Sequence, residues 1–364
     1  MQLSIYRVFP GIVLSFIIAY AGIYLSGIIG NELLNFGKSP ISPIMLSIII
    51  GLLIGNFIKI PSIFSKGIKF SLKFILKLGI ICLGIRLGFL DILQVGVIGI
   101  PLIITCIIFS ILLVNYFCRI LNVPSKIGSL IAVGTSICGA SAIVATSPAI
   151  NANKEEVTYA IANITIFGII AMFIYPFLGH YLFKGDDLSI GLFLGTSIHE
   201  TAQVAGAGLI YSEQFKSPVT MDIATVTKLV RNISMIVVIP FISFLYLKNN
   251  IDPKNTKPSI FSMFPLFIIG FMIMGLIRSI GDYGIQSSDM AFGIFLNDQW
   301  QSIINFIKSL AEYSLAIAMA AVGVSTNLVS LRSLGIRPFY VGFSAAVSVG
   351  FISYIGIIFL NYFI

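Results

Sequence analysis

The chain has 364 residues, of which 57% are hydrophobic and 10% charged, with a mean hydropathy of +1.03. A soluble domain carries about 25% charged residues, so the composition excludes an ordinary water-soluble globule and suits a lipid bilayer. The net charge of +8 comes from basic residues scattered singly through short loops, which argues against a nucleic-acid-binding stripe and for anchoring at the cytoplasmic face.

A helix rises about 1.5 Å per residue and the hydrocarbon core is about 30 Å thick, so one crossing takes roughly 20 apolar residues. Apolar windows predict about eleven transmembrane helices, at 8–29, 41–59, 66–90, 95–118, 127–150, 157–182, 187–211, 221–247, 258–279, 300–327 and 337–363. The expected fold is all-α, one polytopic transporter-like domain over 1–364 with no linker long enough to set off a second. The first apolar run lacks an A-x-A cleavage site and reads as a retained helix. Cys82, Cys106, Cys118 and Cys138 lie in or at the ends of apolar runs without CxxC spacing, so they read as packing residues. No metal and no cofactor is expected.

With the N-terminus cytoplasmic and the C-terminus outside, Arg7, Lys59, Lys66, Lys69, Arg119, Lys126, Lys184, Lys248, Lys254, Lys257, Arg332 and Arg337 fall inside. Only Lys38, Arg86, Lys154, Lys216 and Arg278 fall outside. This is the positive-inside asymmetry of a multi-pass plasma-membrane protein with an odd number of helices. Trp300, at the end of the longest outer loop, reads as an interfacial anchor.

A short unit occurs twice. Gly134-Thr135-Ser136-Ile137 is followed by Thr158-Tyr159-Ala160-Ile161-Ala162-Asn163-Ile164, and Gly195-Thr196-Ser197-Ile198 by Thr227-Lys228-Leu229-Val230-Arg231-Asn232-Ile233. The two copies are expected to share one membrane orientation. A fainter match relates the second to fourth helices to the ninth to eleventh, through Pro43 and Gly51 against Pro265 and Gly275. Those partners would be inverted, as in many secondary transporters.

The run from Gly134 to Ala142, with Thr135, Ser136, Cys138 and Ser141, puts glycine and hydroxyls where a continuous helix prefers Leu or Ile, and predicts a helix break. A helix restarting there would aim amides and a positive dipole end at an anion; close helix packing by small residues is the alternative. In the second copy, Thr196, Ser197, His199, Glu200 and Gln203 sit near mid-membrane, where ionisable groups are costly and functional. His199 and Glu200 are candidate proton carriers; a capping box from Ser197 to Glu200 is the structural alternative. Gln203 stands where a second zinc-ligating His would be, so HExxH chemistry is not expected.

Lys228 and Arg231 share one face of a helix at depths of roughly 10 and 15 Å, with Glu200 as the acid at similar depth. The surplus positive charge suits an anionic substrate; a purely structural Glu200–Arg231 ion pair is the alternative. Asn163 and Asn232, at matching positions, are expected to hydrogen-bond a substrate or each other. Lys308 with Glu312, and Arg86 with Asp91, read as ion pairs.

At these residues the chain resembles the sulfate exporter family of YeiH-like bacterial inner-membrane proteins. The matching stretches are GTSICGASAI at 134–143, GTSIHETAQVAGAG at 195–208 and TKLVRN at 227–232, with weaker agreement at 42–56 and 78–87. The resemblance implies an inner-membrane secondary transporter, related in fold to the cation–proton antiporter and anion transporter superfamily. The expected activity is coupled transport, as export, of sulfate or a sulfonate with protons or sodium, in a lipid bilayer and without nucleic acid; a homodimer is left open. A cation–proton antiporter with Glu200 as ion carrier and a passive anion channel are the competing readings. An enzyme is not expected, because Ser197 and His199 suit a helix start better than a nucleophile–base pair.

Overall fold

The structure, a computed structural model, describes residues 2–29, 32, 42–249, 266–326 and 335–363. Lys38, Lys254, Lys257, Pro265, Asn327 and Arg332 lie outside the described residues. The described chain is all-α apart from a two-stranded hairpin, and divides into two compact units.

The first unit takes residues 1–95, 213–216 and 266–326. It contains α1 (Gln2–Ile28), α2 (Pro43–Phe57), α3 (Ser62–Phe70) joined through a π turn to α4 (Leu76–Leu83), and the start of α5 (Phe89–Ile120). α13 (Phe267–Ser288), β1 (Met290–Ala291), β2 (Phe295–Leu296) and α14 (Asn297–Ser325) complete it. α2 and α14 approach backbone to backbone, since a Cβ on Gly323 would lie 2.4 Å from the Ile48 carbonyl oxygen; glycine permits that approach.

One expectation in this unit is corrected, that for Trp300. Glu312 pairs at 3.4 Å with Arg86, which comes from another element. Asp91 accepts from the Gly88 amide at 3.1 Å, at the start of α5. Trp300 is buried, stacked on Gly281 with its indole N–H donating to Asp282 at 2.8 Å, so it is a packing residue and not an interfacial anchor.

The second unit takes residues 96–212, 217–265 and 327–364 and is built on a repeated hairpin. α6 (Ser125–Ser136) stops after about 18 Å of rise, and beyond Gly139 the chain turns back as α7 (Ala140–Thr146). The Lys126 ammonium at the start of α6 donates to the Asn151 carbonyl just past α7, at 2.8 Å. Val123, Ile127, Ile150 and Tyr159 share one apolar cluster at that end. From there α8 (Lys154–Leu182) sets out, opened by a capping box in which Asn153 and Glu156 exchange two 2.8 Å hydrogen bonds.

At the far end of α8 the pattern repeats upside down. α9 (Asp187–Ser197) enters and α10 (Thr201–Phe215) returns, bringing the Tyr211 hydroxyl within 3.0 Å of His180 Nδ1 near the end of α8. Asp187 accepts from the hydroxyls of Ser217 and Thr220 at 2.5 and 2.6 Å, at the start of α11 (Pro218–Ile233). α11 then runs parallel to α9, with Gly191 against Ile223 and Gly195 against Thr227, and bends by 42° into α12 (Met235–Asn249). α15 (Arg337–Phe363) is fastened along the unit: Tyr175 donates to the Ala346 carbonyl at 3.2 Å and Asn361 to Ser189 Oγ at 2.9 Å.

The expected crossings at 127–150 and 187–211 are therefore re-entrant hairpins. Six described helices are long and apolar enough to span a bilayer, seven with the bent pair α11–α12, so the expected eleven do not all cross. The two copies of the repeat are also inverted rather than parallel, because each hairpin returns to its own end and α8 carries the chain across between them. Lys154 consequently lies at the same end as Lys126, and Lys184 at the opposite one.

Candidate functional site

Both hairpin tips meet in the interior of the second unit, and α11 supplies what holds them. A helix that stops leaves its last carbonyls unpaired, and in an apolar interior each such group costs about 1–3 kcal/mol. Lys228 donates to the carbonyls of Ile137, Ile198 and His199 at 2.8, 2.9 and 2.5 Å. Arg231 donates through Nε to Ser136 at 2.8 Å, through one terminal nitrogen to Thr196 at 2.5 Å and Ile198 at 3.4 Å, and through the other to Thr135. Each cation thus binds carbonyls of both tips, and both side chains have no exposed surface.

This arrangement changes the expected roles. The donors of Lys228 and Arg231 are directed at backbone carbonyls, and the Glu200–Arg231 ion pair does not form. The two carbonyl ends carry roughly −0.5 charge each, so the surplus positive charge seen in the sequence meets helix dipoles as well as an acid.

Glu200 reaches across to the other hairpin. Its Oε1 accepts from the Thr165 hydroxyl at 3.1 Å and from the Ala140 amide at 3.4 Å. Gly139, at φ +52°, makes the approach possible, since a Cβ there would lie 2.3 Å from Glu200 Cγ. The Ser197–Glu200 capping box is replaced by another partner: the Glu200 amide donates to Gln203 Oε1 at 3.2 Å, and Gln203 Nε2 donates to the Thr165 carbonyl at 3.0 Å. Thr165, Glu200 and Gln203 form a closed ring of hydrogen bonds between α8 and the second tip.

The remaining predicted residues divide. Thr196 Oγ1 lies 2.6 Å from Ser353 Oγ of α15, and Cys138 Sγ lies 3.3 Å from Thr201 Oγ1, which also accepts from Asn232 Nδ2 at 2.9 Å. Asn163 donates to the Pro338 carbonyl at 3.1 Å, so the two asparagines serve different partners and do not bond each other. Ser136 Oγ turns back to the Val133 carbonyl at 3.3 Å, and Ser141 is exposed. Thr135 Oγ1, Ser197 Oγ, His199 Nδ1, Asn163 Oδ1 and Asn232 Oδ1 are buried without a hydrogen-bond partner among the described residues.

Sequence reasoning missed Thr165, Thr201 and Ser353, and read Gly139 only as part of the helix break. A hydroxyl in the apolar middle of α8 was a usable signal for Thr165, and Thr201 directly follows Glu200. Ser353 stands 157 residues from its partner with nothing local to mark it.

Fold and site define a polytopic helical membrane protein in which two inverted re-entrant hairpins meet at a buried cationic centre. The chain belongs to the UPF0324 membrane protein family: the sequence family described as Conserved hypothetical protein 698 matches residues 10–342. It is 32% identical over 311 residues to a UPF0324 membrane protein of Fusobacterium nucleatum, covering 85% of this chain and 88% of that one. A UPF0324 membrane protein of Streptococcus agalactiae is 31% identical, with 92% of each chain covered. The inner membrane protein YeiH of Escherichia coli is 28% identical, with 92% and 89% covered. No solved structure matches the chain.

Proposed function

We propose that this chain is a secondary active transporter of a small anion, sulfate or a sulfonate being the substrate class suggested by the family resemblance, working in export and coupled through Glu200 to protons. The observation that carries this reading is the meeting of two inverted hairpins at Lys228 and Arg231, beside the partner-free hydroxyls of Thr135 and Ser197 and the free His199 nitrogen. Midplane sites between inverted repeats are where secondary transporters hold substrate.

Charge bookkeeping supplies the coupling. The carbonyl ends of α6 and α9 are offset by the amide ends of α7 and α10 at the same tips, so two cations and one carboxylate leave about one positive charge. Protonating Glu200 raises this by one in a low-dielectric interior, which favours entry of an anion. Lys228 and Arg231 then act through their field and by building the site, while the partner-free donors offer direct contacts. Ser197 Oγ and His199 Nδ1 are not bonded to each other, which supports a transporter over a hydrolase.

Exchange of Lys154 for Lys184 between the two ends leaves the count of basic residues on each side as expected from the sequence, and turning two of the expected crossings back on themselves does not change the parity of the number. The positive-inside rule therefore still favours a cytoplasmic N-terminus and an outside C-terminus in the plasma membrane.

The test is uptake of labelled sulfate or a small sulfonate into proteoliposomes under an imposed pH gradient. Saturable, gradient-driven flux is expected, and Glu200→Gln is expected to remove its dependence on the gradient. A cation–proton antiporter is favoured instead if sodium drives a pH change with no added anion, since Glu200 is the acid at the crossing. Flux that neither saturates nor follows the gradient would identify a channel.

A further inference from the structure

Lys228 places its ammonium between three carbonyl oxygens, those of Ile137, Ile198 and His199, all within 2.5–2.9 Å. The three come from two chain segments that converge from opposite directions, and none is a carboxylate. Carbonyl rings of this kind replace the hydration shell of a small monovalent cation, whereas calcium and magnesium sites recruit carboxylates and more oxygens. An ammonium nitrogen makes three hydrogen bonds here, matching its three donors. Lys228 has no exposed surface, and among the described residues no ion pair links its nitrogen to an acid.

We propose that Lys228 is a tethered ion: its ammonium fills a three-carbonyl cage that takes a free small monovalent cation when the side chain is cut away, so the native protein holds no sodium or potassium ion at this place. The inference goes beyond the transport reading and does not depend on it. It identifies Lys228 as the fixed charge that lets both hairpin tips end inside the unit.

The test compares melting temperatures of the purified wild type, Lys228→Ala and Lys228→Gln in ammonium, methylammonium, potassium, sodium and choline chlorides at equal ionic strength, up to about 0.3 M because a free ion must replace a tethered one. A ligand that prefers the folded state raises the melting temperature in a saturable way. The wild type is expected to melt alike in all five salts. Lys228→Ala is expected to lose several degrees in choline and to regain at least half of the loss in ammonium. Lys228→Gln, whose amide still occupies the cage, is expected to gain nothing. Recovery of folded Lys228→Ala only in ammonium, potassium or sodium salts gives the same answer. The proposal is overturned if Lys228→Ala melts alike in every salt or is recovered in none, if Lys228→Gln gains as much as Lys228→Ala, or if sodium stabilises the wild type. Absence of anion flux in the wild type would count against the transport reading and leave this result unchanged.

Discussion

Gly139 and Glu200 occupy equivalent positions in the two hairpins, and the side chain of Glu200 fills the space that Gly139 leaves: a Cβ on the glycine would lie 2.3 Å from Glu200 Cγ. Among the positions where the two copies differ, this one sets a glycine in one against the site's acid in the other.

Gly139→Ala is expected to destabilise the protein by about 2 kcal/mol or more, from a positive φ that alanine resists and from collision with Glu200. A double-mutant cycle with Glu200→Ala separates the two causes, because only the collision disappears in that background. Fully additive losses in thermal unfolding would show that the contact carries no energy.

Arg231→Gln is expected to cost about 3 kcal/mol or more, since it uncouples the carbonyls of Thr135, Ser136 and Thr196 in a single step. Arg231→Lys is expected to rescue little, because one ammonium does not reproduce the planar fork that spans both tips. Melting temperature measures both; a fully stable Arg231→Lys protein would contradict the bridging role.

Single cysteines introduced at Lys184 and Lys216 are expected to react with a membrane-impermeant thiol reagent from one side, and at Lys126 and Lys154 from the other. Two through-going helices would instead separate Lys184 from Lys216 and Lys126 from Lys154. Labelling in sealed vesicles of both orientations decides between them. The native cysteines are buried and give a low background.

Gly168→Ala is expected to disturb the Thr165–Glu200–Gln203 ring without replacing any of its members, since a Cβ there would lie 1.9 Å from Gln203 Oε1. The predicted outcome is lower stability together with weakened proton coupling in vesicles. Combining it with Gln203→Ala should recover stability while coupling stays impaired. Unaltered coupling in Gly168→Ala would make the ring purely structural.

The membrane class, the breaks after Ser136 and Ser197, the repeated unit and the burial of Lys228 and Arg231 near Glu200 were legible in the chain itself. Apolar run length reports on the bilayer, and a glycine-hydroxyl cluster or a charge at mid-membrane depth is costly whichever way the chain then runs. The direction a chain takes after a break is not a local property. Continuing a helix or turning it back produces the same apolar pattern along the sequence, so α6–α7 and α9–α10 read as crossings and the repeat read as parallel. Only the folded unit decides, because the carbonyls at each break are satisfied by Lys228 and Arg231 from α11, and Glu200 finds its partners on α8 and on the opposite hairpin. Those contacts lie 29 to 96 residues apart in the chain, and hydrogen bonds of that range leave no periodicity to read.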